Sequence, residues 1–441
     1  MTLFRSPSAL PRLRPLSATK SSNVAVLDIG THKICCMIAQ LKPRDPSECL
    51  PGRSHTIRVL GLGHQRSRGI KSGVIVDMSE AETAIRLAVD GAETTAGMSV
   101  DSLVVNVSAG RLSSETYSSD IDLGGREVAL SDIGAVLAAG YEHTREEGRA
   151  TVHALPIGYT LDAEQGITAP QSMVGSKLAV DMHMVSADAA PLRNLELCIN
   201  RAHLVVDGMV ATPYASGLAA LVEDEARMGA ACIDMGAGTT SVSLFFEGHL
   251  VFADAITVGG NHVTMDIARG LSIRVVDAER LKVLHGRAVA TQADEREMLT
   301  APSLEEGNAS QVQVSVAQLS QIIRPRVEET FELLRDRIQR SGFAKAMGRR
   351  IVLTGGASQL GGATDVATQI LGANVRMGRP MGISGLPKTA KGPAFSAAAG
   401  LMIYPQMAQS EFVSGLPRTT HRSRPVGGAL GRVGRWLKES F

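Results

Sequence analysis

Two short segments of the sequence combine residue types that can hold a phosphate group. Each follows an apolar run and places an aspartate ahead of glycines and hydroxyl side chains. The residues are Asp28, Gly30, Thr31 and Lys33 in LDIGTHK, and Asp234, Gly236, Gly238 and Thr239 in IDMGAGTT.

The residue types in these segments suit the chemistry of a bound nucleotide. Glycines let backbone N–H groups approach phosphate oxygens closely, and threonine hydroxyls add donors. Lys33 can supply a positive charge, and Asp28 and Asp234 can orient Mg²⁺ through water, because Mg²⁺ prefers oxygen ligands and keeps several waters. The alternative is a pair of ordinary β-turns, which commonly contain Asp-Gly and Gly-Thr. Two matched copies favour the nucleotide site.

A third glycine turn, VLTGGASQLGG, places Gly355 and Gly356 between a predicted strand and a predicted helix. There the backbone can pass close to a flat ring or a sugar. The sequence has no Gly-x-x-x-x-Gly-Lys-Ser/Thr loop and no Gly-x-Gly-x-x-Gly after the first strand. The pattern therefore disfavours both a P-loop and a dinucleotide-binding fold.

The elements that must position these turns follow from the apolar runs. NVAVLDIG, KICCMIAQL and TIRVLGLGHQ predict strands, and Asp77–Gly97 predicts a helix capped by Asp77 or Ser79. Residues 100–187 contain short β-rich runs and one helical stretch, which indicates a separate small α/β subdomain. A long helix is predicted around Pro325, either continuous or divided there.

The composition limits the classes of function. The chain has 441 residues, 44% hydrophobic content, 3% aromatic residues and a net charge of +1. Few aromatics and no excess positive charge argue against nucleic acid as a partner. The five cysteines include no Cys-x-x-Cys pair, which indicates reduced cytosolic thiols. Residues 1–22 are rich in Pro, Ser and Arg and are predicted to form a disordered basic leader.

The last 14 residues, 428–441, predict an amphipathic helix after a flexible polar linker at 406–427. A helical wheel places Leu430, Val433, Trp436, Leu437 and Phe441 on one side, and Arg432, Arg435 and Lys438 on the opposite side. An aromatic-tipped apolar face with basic flanks is typical of a helix that lies in a membrane interface. The alternative is a terminal helix docked on the protein's own surface.

At this point the chain resembles the FtsA family of bacterial cell-division proteins, within the actin, Hsp70 and sugar-kinase ATPase superfamily. Residues 23–405 carry the likeness. The matching segments are LDIGTHK, IDMGAGTTSVSLF and VLTGGASQLGG, with RGIKSGVIVDMSEAETAI, HALPIGYTLD and VRMGRPMGISGL between or beyond them.

The resemblance implies an α/β, actin-like ATPase fold with two related RNase H-like domains and an FtsA-type inserted subdomain. The first domain would comprise residues 23–99, 188–228 and 391–405, and the inserted subdomain residues 100–187. The second domain would comprise residues 229–390, with 261–340 as its outer part.

The resemblance also implies roles for individual residues. Asp28, Gly30, Thr31 and Lys33 would face the phosphates and Mg²⁺ from one side, and Asp234, Gly236, Gly238 and Thr239 from the other. Gly355, Gly356 and Ala357 would pack on the adenosine, and Glu279 and Lys282 would lie near the ribose and base. On spacing alone, Glu279 and Lys282 fit a solvated surface ion pair better.

The functional expectation is an ATP-binding scaffold that polymerises at the cytoplasmic face of the bacterial inner membrane. It would hold filaments of FtsZ at anionic lipid through its terminal helix and recruit later division proteins. Arg324 and Arg326 are the candidate contacts for the FtsZ tail, against the alternative of a solvated, salt-bridged helix face. Because VATPYASGLAAL offers no obvious base to activate water, we expect at most a weak ATPase activity. The alternative is an actin-fold small-molecule kinase or an Hsp70-like ATPase.

Overall fold

The computed structural model describes residues 10, 11, 13, 16, 17, 19–50, 52–108, 111–142, 147–304 and 311–411. The chain begins in a first lobe that is built around a long antiparallel meander. Its elements up to the insertion are β1 (Ser22–Ile29), β2 (Lys33–Pro43), β3 (His55–Arg66), β4 (Ile70–Lys71), β5 (Val74–Ile75), α1 (Met78–Ala96) and β6 (Ser102–Val107). The Asp77 side chain accepts a hydrogen bond from the Glu80 backbone and caps α1, and Gly97 ends it in a left-handed conformation.

An inserted subdomain interrupts the first lobe. It consists of β7 (Ser113–Glu127), α2 (Leu130–Glu142), β8 (Arg149–Leu161), β9 (Glu164–Ile167) and β10 (Val174–Asp188). The four strands form an antiparallel sheet in the order β7-β10-β8-β9, and α2 packs on β7 and β10 around a small apolar core of its own.

The chain then returns to the first lobe with α3 (Ala189–Arg201), β11 (Val205–Ala211), α4 (Thr212–Ala220) and the short α5 (Glu223–Met228). The first sheet has the order β11-β6-β1-β2-β3, with a last short strand from residues 383–384 beyond β3. β1, β2 and β3 are antiparallel, whereas β6 and β11 run parallel to β1.

The second lobe repeats this plan. Its elements are β12 (Ala230–Met235), β13 (Thr240–Phe246), β14 (His249–Ile256), α6 (Gly260–Gly270), α7 (Val275–His285), β15 (Met298–Pro302), β16 (Gln311–Ser315), α8 (Val316–Arg340), β17 (Arg350–Thr354), α9 (Ala363–Leu371) and β18 (Asn374–Met377). The sheet order is β14-β13-β12-β17-β18. Again three antiparallel strands are followed by two that run parallel to the first strand.

The remaining described elements return to the first lobe. They are β19 (Ile383–Ser384), α10 (Ser396–Ile403) and α11 (Ala408–Glu411). Since α10 is made of small residues, it packs closely against α4. A Cβ at Gly400 would overlap the backbone of Ala215, so this approach requires glycine.

Two boundaries differ from the prediction. Ser102–Val107, predicted as part of the inserted subdomain, pairs with β1 and β11 in the first sheet. Ile383–Ser384, predicted in the second domain, pairs with β3 of the first sheet. Both strands are short, and the sequence alone does not show which sheet such a strand joins. Pro325 lies inside α8, which is one continuous helix.

The prediction of a disordered leader is wrong for the residues of 1–22 that the structure describes. Leu10, Leu13 and Leu16 pack against the core of the first lobe, and Leu13 lies close to Gly208 of β11. The His55 ring nitrogen Nε2 donates to the Ser17 carbonyl at 3.3 Å. The three leucines supply enough apolar surface to hold a segment whose Pro, Ser and Arg content indicated disorder.

Candidate nucleotide cleft

The two aspartate–glycine turns occupy the same place in the two repeated meanders. Asp28 is the penultimate residue of β1, and Asp234 is the penultimate residue of β12. The following turns are closed in the same way: Gly30 N–H donates to the Lys33 carbonyl, and Gly236 N–H to the Thr239 carbonyl, both at 2.9 Å. The matched pattern in the sequence therefore corresponds to matched geometry.

These two turns face each other across the boundary between the lobes. A Cβ placed on Gly238 would collide with the Thr31 side chain, so the second turn approaches the first only because position 238 is glycine. The Ser72 hydroxyl, from the first lobe, donates to the Gly238 carbonyl at 3.3 Å. Contacts between the turns thus join the lobes at the mouth of a cleft.

The carboxylates of Asp28 and Asp234 are both buried behind the turns. Burial raises the pKa of Asp234 to about 6; the Ser216 hydroxyl bond works against this rise, and the charge of Asp28 adds to it. Burial also raises the pKa of Asp28, and Lys33 opposes that change. Two buried carboxylates that repel each other form an environment that favours a cation.

The residues present fit a magnesium ion held through water. In the described part of the chain, no three His, Cys, Asp or Glu side chains converge as direct metal ligands. Asp28 and Asp234 supply oxygen ligands from both lobes, which suits an ion that keeps several waters. The donor set is therefore consistent with Mg²⁺ and with none of the thiolate or imidazole sites that bind zinc.

Lys33 lies on the first-lobe side of the cleft but already has partners. Its ammonium donates to the Ala394 carbonyl and lies 3.3 Å from the centroid of the Phe395 ring. A contact between Lys33 and a phosphate would therefore exchange with these two contacts.

The third glycine turn packs directly against Asp234. Gly355 has φ 88°, and a Cβ there would overlap the Asp234 carboxylate and the Met235 carbonyl. Gly356 lies in a more open place, with Ala394 as its nearest neighbour in the Cβ direction. The backbone at Gly355 and Gly356 therefore lines the cleft, next to the aspartate of the second turn.

The N-terminus of α6 lies beneath the second turn. Gly260 N–H donates to the Gly236 carbonyl at 3.0 Å, and Asn261 N–H to the Ala237 carbonyl at 2.8 Å. A Cβ on Gly260 would contact Ala357 and approach the Lys282 ammonium. The start of α6 thus brings the second turn, Ala357 and Lys282 together.

Glu279 and Lys282 form a half-buried pair instead of a solvated one. The Lys282 ammonium donates to Glu279 at 2.6 Å, to the Thr264 hydroxyl at 2.8 Å and to the Gly260 carbonyl at 3.1 Å. Burial acts to raise the pKa of Glu279, but hydrogen bonds from Lys282 and Thr264 outweigh it and lower the pKa. His32 of the first turn also lowers it, so the pair lies within range of the opposite lobe.

Sequence reasoning missed three residues that shape the cleft. Asn106 at the end of β6 accepts from Ile29 N–H at 2.7 Å and donates to the Thr212 hydroxyl at 3.2 Å. Ser216 bonds to Asp234, and Thr264 bonds to Glu279. Ser216 lies in the VATPYASGLAAL stretch, but its type and spacing give no sign that it bonds to Asp234. Thr212 is bonded to Asn106 there, and no carboxylate comes from that described stretch.

The candidate contacts for an acidic peptide, Arg324 and Arg326, are paired within the protein. Arg324 lies 2.7 Å from Glu328, and Arg326 makes a two-pronged pair with Asp266 at 2.7 and 3.1 Å and also contacts Glu329. This geometry favours the alternative of a salt-bridged helix face.

The predicted membrane anchor belongs to the C-terminal end of the sequence. The predicted flexible linker at 406–427 is wrong at its start, because residues Ala408–Glu411 form α11. The rest of the linker and the predicted interfacial helix lie outside the described residues, and with them Leu430, Val433, Trp436, Leu437, Phe441, Arg432, Arg435 and Lys438. Among the helices that the structure describes, none is long and apolar enough to cross a bilayer.

Two lobes of one repeated topology, each with an aspartate–glycine turn at the shared cleft, define the actin-like ATPase fold. A chain of the PilM–PilN type IV pilus biogenesis complex is similar, with a TM-score of 0.59, 16% identity and coverage of 87% of this chain and 98% of that chain. MreB5 of Spiroplasma citri, solved bound to ADP, has a TM-score of 0.50 at 14% identity over 89% of this chain and 99% of that chain.

The sequence comparisons identify the family. The profile of cell division protein FtsA matches residues 231–400, and that of the SHS2 domain inserted in FtsA matches residues 109–186. The cell division protein FtsA of Agrobacterium fabrum (strain C58) is 58% identical over 443 residues, covering 100% of both chains. The chain belongs to the FtsA family of cell-division proteins. The predicted family and fold are confirmed, and the alternative of a metabolic kinase or Hsp70-like ATPase is disfavoured.

Proposed function

We propose that this protein is an ATP-binding, actin-like scaffold that acts in cell division at the cytoplasmic face of the inner membrane. The observation that carries the proposal is the opposition of the two matched turns, with Gly238 against Thr31, in a chain of the FtsA family. The similar structure of MreB5 holds ADP, which agrees with a nucleotide in this cleft.

In this proposal the nucleotide lies between the lobes. Gly30, Thr31 and Lys33 contact the phosphates from one side, and Gly236, Gly238 and Thr239 from the other, while Gly355, Gly356 and Ala357 pack against the adenosine. Asp28 and Asp234 hold water around Mg²⁺, which would neutralise phosphate charge when bound. Glu279 and Lys282 lie at the ribose and base.

The nucleotide acts mainly as a structural ligand. A ligand that contacts both lobes favours the closed arrangement over open ones by its differential affinity. The region where a base would be expected contributes Thr212 and Ser216, both already hydrogen-bonded. Hydrolysis is therefore slow, and ATP stabilises the state that self-associates into filaments.

The predicted terminal helix attaches these filaments to anionic lipid. Its apolar face with Trp436 and Leu437 enters the interface, and Arg432, Arg435 and Lys438 each add about 1 kcal/mol near an anionic surface. One such helix binds weakly, but many helices on one filament bind together strongly. The attached filament recruits later division proteins and holds FtsZ.

Binding of the FtsZ tail to the outer part of the second lobe remains a prediction. Since Arg324 and Arg326 are paired with Glu328, Asp266 and Glu329, an acidic tail has to exchange with these carboxylates. Such exchange is easiest at the more exposed pair of Arg324 and Glu328, because an exposed pair contributes only about 0.2–1 kcal/mol. The two-pronged pair of Arg326 with Asp266 is part-buried, so it resists exchange more strongly.

Co-sedimentation with anionic vesicles tests the attachment. With Mg²⁺ and ATP, and at a centrifugal force too low to sediment lipid-free filaments, the full chain should pellet with vesicles, whereas a chain ending at residue 427 and the variant Trp436→Asp should stay in solution. Glu439→Gln on the polar side is the matched control and should pellet like the unaltered chain. Equal pelleting of the truncated and full chains would show that the terminal helix is not the anchor.

A further inference from the structure

A cavity lies between the inserted subdomain and the second lobe, away from the nucleotide cleft. Its volume is about 540 Å³, and we call it the lobe–insert groove. The apolar part of its lining includes Ile157 and Tyr159 of β8, Val251 of β14 and Phe343 after α8. Ile157 also packs against the core of the second lobe. These apolar side chains form what we call the floor of the groove, and the cavity has room for large side chains.

The rim of the groove is acidic. Asp224 and Glu247 lie on it, and Arg227 is the one arginine among the described residues that line the cavity. His249 also lines it, and burial lowers the pKa of this imidazole, which keeps it neutral near pH 7. Asp224 and Glu247 are exposed at the surface. An apolar floor inside a predominantly negative rim matches a segment that has an apolar face flanked by basic side chains.

The chain leaves the described structure close to this groove. Glu411, the last described residue, is buried, and its carboxylate lies 3.0 Å from Nδ1 of His153 on β8. Tyr141 of α2 donates to the Glu411 carbonyl at 2.9 Å. His153 Nε2 accepts from Ala211 N–H at 2.9 Å, so Nδ1 carries the proton and donates to Glu411. These bonds fix the exit point of the chain against the inserted subdomain.

The exit point is within easy reach of the groove. Ile157 is four residues beyond His153 on the same strand, or about 13 Å at the rise of a β-strand. Residues 412–428 separate Glu411 from the amphipathic segment, and a chain of that length can span up to about 55 Å. Docking of the terminal segment on its own molecule therefore needs no extended linker.

We propose that residues 429–441 dock in the lobe–insert groove of their own molecule when no membrane is present. Trp436 and Leu437 fill the cavity, and the basic side of the segment, with Arg432, Arg435 and Lys438, faces Asp224 and Glu247. The idea rests on the proposed function, because the face that enters the groove is the one proposed to enter lipid. Groove and membrane then exclude each other, and docking hides an apolar segment that would otherwise promote aggregation.

The single tryptophan of the chain makes the docking measurable. Trp436 is the only Trp, so the emission of the full chain reports this residue alone. In lipid-free protein we expect blue-shifted emission and protection from acrylamide. Glu247→Lys should lower the docked-to-free ratio by about tenfold, since it replaces an attraction with a repulsion at the rim. Asp90→Lys on the exposed side of α1 is the matched control and should leave the emission unchanged.

Three results would overturn the docking. They are water-like emission from the unaltered lipid-free chain, an unchanged spectrum in Glu247→Lys, and a blue shift that disappears on dilution, which would mean docking on a second copy. Anionic vesicles provide a separate readout, because they should shift Trp436 of Glu247→Lys back to the blue. If vesicles leave that emission water-like, the membrane anchor fails while the lipid-free comparison still decides the docking.

Discussion

Asp234 illustrates the cost of placing a carboxylate where a ligand can use it. The group is buried and faces Asp28, and its pKa is raised from the ordinary 3.8 of an aspartate to about 6 in the folded chain. The folded state therefore binds the proton more tightly than the unfolded state. The free energy of unfolding therefore falls as the pH rises from about 4 to about 6. Above pH 6 the buried charge destabilises the ligand-free chain fully.

Substitution of Asp234 tests this dependence of stability on pH. Asp234→Asn keeps an acceptor for the Ser216 hydroxyl but removes the charge, so the ligand-free chain should be more stable at pH 7.5, by up to about 3 kcal/mol. The gain should shrink as the pH falls toward about 4. Urea unfolding of the full chain at several pH values measures it, with Asp90→Asn as an exposed control.

The same substitution should weaken binding of Mg²⁺ and ATP, measured with a fluorescent ATP analogue. A variant that is more stable but binds ATP more weakly would show that the Asp234 carboxylate serves ligand binding and not stability. If Asp234→Asn has the same pH dependence of unfolding as the unaltered chain, Asp234 does not carry the buried charge assigned to it.

Much of the residue-level site could be predicted from the sequence, because the signal is local. Glycine and aspartate at a strand end reveal themselves by type and spacing, as Asp28 and Asp234 did. Asn106 and Ser216 could not be found in this way. Their roles depend on which strand or helix lies beside the aspartates, and that is decided by tertiary packing.

At the scale of elements, the connection of α6 to α7 supports the cleft. Lys282 on α7 bonds back to Gly260 and Thr264 on α6 and to Glu279 on its own helix. The i,i+3 spacing predicted a surface pair, but it gave no sign that α6 would cover one side of it. Because only 14% of the Lys282 side chain and 31% of Glu279 are exposed, the pair holds the two helices together.

The substitution Lys282→Met tests whether this pair holds α6 and α7 together. The change keeps the apolar stem but removes three hydrogen bonds and leaves Glu279 without its cation. The expected loss is about 1–3 kcal/mol in the free energy of unfolding, together with weaker ATP binding. Arg280→Met, on the exposed side of the same helix, should change stability by less than about 0.5 kcal/mol. Equal effects of the two substitutions in urea unfolding would mean that the pair does not join α6 to α7.

At the scale of the whole molecule, the fold is a duplication with one insertion. The two matched aspartate–glycine segments and the family resemblance predicted the duplication, and the change of composition near residue 100 predicted the insertion. The strand Ile383–Ser384 was misplaced, since chain order does not reveal that a two-residue strand returns to the first sheet. The inserted sheet also covers the edge of the second: Ala253 N–H of β14 donates to the Ser114 hydroxyl at 2.8 Å. Contacts of this kind between distant segments leave no local pattern.

The central claim is that one nucleotide bridges both lobes. Hydrogen exchange of the full chain with Mg²⁺, with and without ATP, tests it most directly, because it reads each turn separately. We expect ATP to slow exchange both at residues 29–33 of the first lobe and at residues 236–240 and 355–359 of the second. Slowing confined to one lobe, or absent from both, would contradict it.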